Sequence, residues 1–156
     1  MRRKDREITD DLLIDEIISR CNCCRLGFND NGEVYIVPLS FGYEKQNGKR
    51  YFYFHSAGEG RKLDLISRGG TVGFELDCGY QLHTADSPCG YTAAFSSVIG
   101  TGRAEILTTS AEKTAGLQSL MRHTAGLEDC SFDPEMLEQV CVFRLEVTQL
   151  TCKVHL

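Results

Sequence analysis

The apolar positions follow a helical spacing in some stretches and a period of two in others. After Thr9, residues Leu12, Leu13, Ile14, Ile17 and Ile18 recur at helical spacing between Asp10 and Arg20. Asp10 and Asp11 stand in the first turn, where the helix dipole favours negative charge. This predicts a first helix whose apolar stripe must lie on another element. Cys23 to Phe28 then predicts a strand, closed by Asn29-Asp30-Asn31-Gly32, because Asn-Gly accepts the positive φ of a tight hairpin turn. Val34 to Phe41 forms the second strand. A second Asn-Gly turn at Asn47-Gly48 leads to a third strand, Arg50 to His55, in which Tyr51, Phe52, Tyr53 and Phe54 are strong strand formers. These three strands read as a meander.

Gly58-Glu59-Gly60 opens a short helix, Arg61 to Arg68, which Gly69-Gly70 ends. Thr71 to Asp77 predicts a fourth strand, and a polar loop leads to a fifth, Tyr91 to Leu107. Gly100-Thr101-Gly102 interrupts that strand, which predicts a bulge or a barrel corner. Ser110 to His123 is helical on Leu117, Leu120 and Met121, and Pro134 to Gln139 adds a helical turn. In the sixth strand Cys141, Phe143, Leu145 and Val147 alternate with Val142, Arg144, Glu146 and Thr148, and the strand runs on to Val154. Six strands in hairpin order predict a mainly β, α+β domain over residues 1–156: an antiparallel split β-barrel with peripheral helices. A Rossmann fold would need strands alternating with helices throughout.

Composition narrows the partners. A chain of 156 residues fits one domain and buries a core without needing disulfides or metals. A net charge of −5 lacks the basic footprint of nucleic-acid binding. Arg2, Arg3, Lys4 and Arg6 are diluted by Asp5, Glu7, Asp10 and Asp11 and read as a solvated tail. No apolar signal region follows them and no run approaches the roughly 20 apolar residues of a membrane span. The expectation is a cytoplasmic protein without membrane contact. In that reducing compartment the eight cysteines stay free. Cys21, Cys23 and Cys24 lack the paired knuckles of a zinc site and read as structural, with redox sensing open to an exposed thiol.

The chemistry concentrates in Tyr53-Phe54-His55-Ser56-Ala57-Gly58-Glu59-Gly60-Arg61-Lys62-Leu63-Asp64-Leu65. Here a strand ends in a hydroxyl, passes through glycines and enters a helix bearing an Arg-Lys pair. The unpaired N–H groups of such a helix start attract anions. Arg61 can grip a phosphate bidentately and Lys62 add a point charge. The same residues also read as a glycine loop followed by two solvated bases. His55 reads either as a donor or proton relay at a ligand or as an ordinary hydrogen-bonded histidine. His83 is placed in the loop Gln81 to Gly90, and His123 and His155 are given no chemical role.

That segment resembles the phosphate-gripping element of the pyridoxamine 5′-phosphate oxidase superfamily. Val34-Tyr35-Ile36-Val37-Pro38-Leu39-Ser40-Phe41-Gly42-Tyr43-Glu44 resembles the family's second strand, and Ser96-Ser97-Val98-Ile99-Gly100-Thr101-Gly102-Arg103-Ala104 the strand returning beneath the flavin. The first two motifs together are most similar to the branch of 5-nitroimidazole resistance proteins. The resemblance implies FMN as cofactor, with Ser56, Arg61 and Lys62 on its phosphate. Val37, Pro38, Leu39 and Ser40 would lie along the isoalloxazine ring, mainly through backbone, and Ser97 would sit near the cofactor. It further implies a homodimer with FMN at the interface, and an FMN-dependent oxidoreductase acting on a small molecule, with nitroaromatic compounds as the leading substrates. Tryptophan is absent, and the substrate-binding end of the true oxidases is not found, so vitamin B6 oxidation is not carried over. A non-catalytic flavin or haem carrier, with His55 or His83 as axial ligand, is the alternative.

Overall fold

The structure, a computed structural model, describes residues 3–156, so Arg2 of the basic tail lies outside the described residues. The remainder of that tail is not simply solvated. Lys4–Arg6 forms a short 3-10 turn and β1 (Glu7–Ile8) pairs antiparallel with the far end of the chain. Helix α1 (Asp11–Ser19) follows, its first turn capped by the Asp10 carboxylate, which accepts from the Leu13 N–H at 2.9 Å. Ile14, Ile17 and Ile18 are buried, whereas Leu12 is 79% exposed. The i, i+3, i+4 face selects the isoleucines, and Leu12 falls outside it.

Two hairpins come next. β2 (Cys24–Asp30) and β3 (Glu33–Leu39) turn at Asn31 and Gly32; β4 (Gly42–Gln46) and β5 (Lys49–Ser56) turn at Asn47 and Gly48. All four turn residues have positive φ, as the Asn-Gly reading requires. The expected meander does not form, because Val34 to Phe41 is not one strand. β3 stops at Leu39, Ser40 and Phe41 make a corner, and the hairpins end on opposite edges of the sheet. Phe41 is wholly buried, which anchors the corner.

Helix α2 (Arg61–Arg68), β6 (Val72–His83), β7 (Thr92–Leu107), α3 (Ser110–Ala125), α4 (Pro134–Gln139) and β8 (Cys141–His155) complete the chain. Strand order is β3-β2-β6-β7-β8-β5-β4, with β1 also on β8, so eight strands form the sheet where six were expected. β6 runs beyond Asp77 through an irregularity between Cys78 and Gln81, which places His83 in a strand opposite Thr92 rather than in a loop. The predicted glycine irregularity in β7 falls between Thr101 and Gly102, where the register with β8 shifts. Among the described residues no helix is long and apolar enough to cross a membrane.

The sheet curls around its inward face. Phe52 on β5 meets Phe74 on β6 edge-on at 5.2 Å, and Phe41 meets Phe52 at 5.5 Å. These rings join strands that are not neighbours in the sheet. A second cluster of Tyr53, Leu107, Leu117, Leu137 and Val142 lies on the outward face and is covered by α3 and α4. The outward face of β3, β2, β6 and β7 has no such cover: Val34, Ile36 and Ile99 are all exposed there.

Gly42 sets the distance between α3 and the sheet. A Cβ there would stand 2.5 Å from the Leu120 nitrogen and 2.6 Å from the Ser119 carbonyl carbon, both rigid backbone. Replacing Gly42 by Ala is expected to destabilise the fold by about 3 kcal/mol, the upper range for overpacking. Gly58→Ala, whose nearest atom would be 3.6 Å away, is expected to be close to neutral. Urea unfolding of both variants checks the contrast.

Candidate functional site

One end of the barrel is closed by α2, whose Leu63, Leu65 and Ile66 enter the main core. The helix begins at Gly60, at φ 130°, with no side chain capping its first N–H groups. The other α-helices are capped by Asp10, Thr109 and Asp133. Leu63 and Asp64 donate to the Gly60 carbonyl at 2.9 and 3.2 Å. The N–H groups of Arg61 and Lys62 precede these bonds and have no intrahelical acceptor. The positive end of α2 therefore opens at this mouth, ready for an anion.

Ser56 ends β5 directly opposite Cys141, the first residue of β8. Its hydroxyl donates to the Ala57 carbonyl at 2.8 Å. Burial pushes the Cys141 thiol up, while the Lys113 charge, the nearby Ser56 hydroxyl and the Lys62 charge pull it back. Ser56 and Lys62 thus share one neighbourhood. Lys113 is pinned there by donating to the carbonyls of Leu137 and Val140 at 2.8 and 2.9 Å. Among the described residues Lys62 makes no ion pair.

Arg61 has a different environment. Its Nε donates to Asp30 Oδ2 at 2.8 Å, its Nη2 reaches Glu33 at 3.3 Å, and its guanidinium lies 4.7 Å from the centre of the Tyr35 ring. Arg68, at the other end of α2, donates to the second oxygen of Asp30 at 2.9 Å. Asp30 thereby clamps both ends of α2 to the first hairpin turn. Consecutive helical residues diverge by about 100°, and the Arg-Lys pair divides accordingly. Asp30, Glu33 and Lys113 escaped the sequence reading because their partners are distant in the chain.

The other expected site residues are spread over both faces of the sheet. β3 is an edge strand, so part of its backbone is free to bond a ligand. Val37 and Leu39 turn their side chains onto the core, while Pro38 and Ser40 are exposed. Ser97 pairs with Asp77 and Lys153. Pro38 and Ile99 belong to one transverse row of the outward face, through Arg25 and Glu75; Ser97 shares that face, about 14 Å from β3 at three inter-strand spacings. His55, exposed opposite Val142, points to the face opposite Ser56 because strand side chains alternate. His123 bonds the Cys21 carbonyl at 2.8 Å and lies on Phe41, and His155 Nδ1 donates to the Ala93 carbonyl at 2.7 Å. No group of three or more His, Cys, Asp or Glu among the described residues is placed to hold a metal.

A sequence profile described as pyridoxamine 5′-phosphate oxidase matches residues 10–154. No functionally curated protein matches the chain. Among solved structures, a Bacteroides thetaiotaomicron protein, described provisionally as a 5-nitroimidazole antibiotic resistance protein, is 30% identical with a TM-score of 0.81, covering 95% of this chain and 86% of its own. A flavocytochrome from Azotobacter vinelandii is 21% identical with a TM-score of 0.80, covering 100% of this chain and 72% of its own. An FAD- and haem-binding protein from Mycobacterium smegmatis is 15% identical with a TM-score of 0.79, covering 96% of this chain and 73% of its own. At these identities the last two show a shared fold.

The clamp on α2 gives the site a pH dependence. The Arg61 hydrogen bond, and then that of Arg68, hold the Asp30 carboxyl below the usual carboxylate range. The stabilisation is complete above the unfolded value of about 4 and is lost as pH falls through the folded value. Asp30→Asn is expected to be less stable than the parent at pH 7, with the gap narrowed at about pH 3. Urea unfolding at the two pH values reads the gap.

Proposed function

Because the chain belongs to the pyridoxamine 5′-phosphate oxidase family, we propose that it is an FMN-dependent oxidoreductase whose phosphate site is the open start of α2. The uncapped N-terminus of that helix beside Lys62, which makes no ion pair among the described residues, carries this reading. The residues present fit the group. The N–H groups of Arg61 and Lys62, the Lys62 ammonium and the Ser56 hydroxyl would hold a phosphate. The free backbone edge at residues 37–40, with Pro38 outward, would lie along the ring.

When bound, FMN supplies two-electron transfer to a small acceptor. The chain's contribution is position and exclusion of water. Lys62 and the start of α2 fix the anionic end, and the clamp from Asp30 holds that helix against the barrel. Val37 and Leu39 keep the edge strand seated on the core, which would fix its backbone for a bound ring. Ser97 supplies a hydroxyl from the outward face. Exposed on the face of β5 opposite Ser56, His55 would exchange a proton with an acceptor rather than touch the phosphate end. By the likeness to the nitroimidazole-resistance protein, a nitroaromatic compound is the leading acceptor.

The bare outward face supports a homodimer that shelters the flavin. Its exposed Val34, Ile36 and Ile99 flank two shallow depressions of about 360 and 520 Å³, lined in part by Gly27 and Gly73 and by Thr101 and Thr151. A face of this kind on a split barrel, apolar at Val34, Ile36 and Ile99 and crossed by the ion pairs of Arg25 with Glu75 and Asp77, fits a second copy related by a two-fold axis.

Reconstitution with FMN is expected to give a stoichiometric yellow complex. Lys62→Ala should weaken it by tenfold or more, on the order of 1.5–3 kcal/mol for a hydrogen bond to a charged group. Arg61→Ala should weaken it less, and His55→Gln should keep the flavin while lowering turnover of a nitroaromatic acceptor. A Soret band from a haem-replete culture, with no flavin uptake, would support the haem-carrier alternative instead. Light scattering checks the assembly: the parent is expected to be a dimer and Ile36→Glu a monomer.

A further inference from the structure

Two thiols from distant parts of the chain meet beneath α1. Cys21 follows the helix, its N–H donating to the Ile18 carbonyl at 3.1 Å, and is wholly buried. Cys78 is half-buried on β6, at the point where pairing with β7 breaks before Gln81. Both sulfurs donate to one acceptor, the Ile17 carbonyl, at 3.3 Å for Cys21 and 3.9 Å for Cys78. Burial, and next the adjacent Cys78 thiol, push the Cys21 thiol up. Neither cysteine serves the flavin site described above.

An irregular backbone and an opening lie beside the pair. Gly79, at φ 69°, follows Cys78 in the irregular stretch, so the backbone on that side is not held by a regular ladder. A cavity of about 360 Å³, lined by Ile17, Arg20, Gly79 and Ser96 among others, opens beside the pair. Arg20 and Gly79, the chain neighbours of the two cysteines, line it, so a small oxidant admitted there stands one residue from the half-buried Cys78. Cys152 is the other thiol near Cys78. It is 1% exposed and lies inside the regular β7–β8 register, so it has less freedom to reach disulfide geometry.

We propose that Cys21 and Cys78 form a redox-active dithiol, closed to a disulfide by hydrogen peroxide. The Cys78 sulfur attacks one peroxide oxygen, the O–O bond breaks, and water leaves as Cys78 becomes a sulfenic acid. The Cys21 sulfur then attacks the Cys78 sulfur. The S–S bond forms, the S–O bond breaks, and the hydroxyl leaves as a second water with the Cys21 proton. Two thiols lose two electrons and one peroxide takes them up. The bond staples the end of α1 to β6.

The test is non-reducing peptide mapping of the protein after stoichiometric hydrogen peroxide, in a Cys89→Ser background that removes the exposed thiol. The expected product is one intramolecular Cys21–Cys78 cross-link, lighter by two hydrogen atoms and reversed by dithiothreitol. Its melting temperature should exceed that of the reduced form, because the link constrains the unfolded chain. Cys78→Ser should leave Cys21 unmodified. A Cys78–Cys152 link, or Cys78 over-oxidised to sulfinic acid while Cys21 stays free, overturns the proposal. The map on the parent pair decides this even if a cysteine variant misfolds. The outcome is independent of flavin binding, since the same cross-link is expected with and without FMN.

Discussion

The contact between Phe52 and Phe74 turns a sheet with two free edges into a barrel. β5 and β6 are separated by β8 and β7 in the strand order, yet their rings meet edge-on in the interior. Such pairs add about 0.5–1.5 kcal/mol beyond the area they bury. Phe41 extends the cluster to the corner between the hairpins. Once the sheet is curled, it has a mouth for α2 to close and an outer wall for α3 and α4 to cover. The site at the start of α2 exists only because that mouth does.

Features that depend on near neighbours were legible in the sequence. Asn31-Gly32 and Asn47-Gly48 form the turns their chemistry predicts, and Gly100-Thr101-Gly102 breaks the register of β7. The alternation after Cys141 marks β8, a strand of 15 residues. What distant neighbours decide was not legible. Val34 to Phe41 reads as continuous because its residue types all favour strands; the break at Ser40 is imposed by burying Phe41 among rings from other strands. Leu12 reads as core although α1 turns it outward. His83 sits in a strand because β7 offers it a partner across an irregularity.

The candidate site shows the same division at the scale of single charges. Arg61 and Lys62 are adjacent in sequence and read as one phosphate grip. Folding gives the guanidinium two carboxylates and an aromatic face from the first hairpin, and leaves the ammonium without an ion pair among the described residues. A planar, delocalised cation suits that buttressing role, and a compact one on a flexible stem suits a ligand that comes and goes. No pattern within the helix could have revealed this, because Asp30 lies 31 positions upstream.

β8 joins the sheet's parts: it pairs with β7 along most of its length, with β5 over its first half and with β1 near its end. It is also the last of these strands to leave the ribosome. Until it emerges, β5 and β7 present unpaired edges to the cytosol of whatever cell makes the protein, and non-local pairing of this kind is slow and prone to aggregation. The interval between translation of β7 and release of residues 141–155 is therefore the one in which the nascent chain is most open to misassociation.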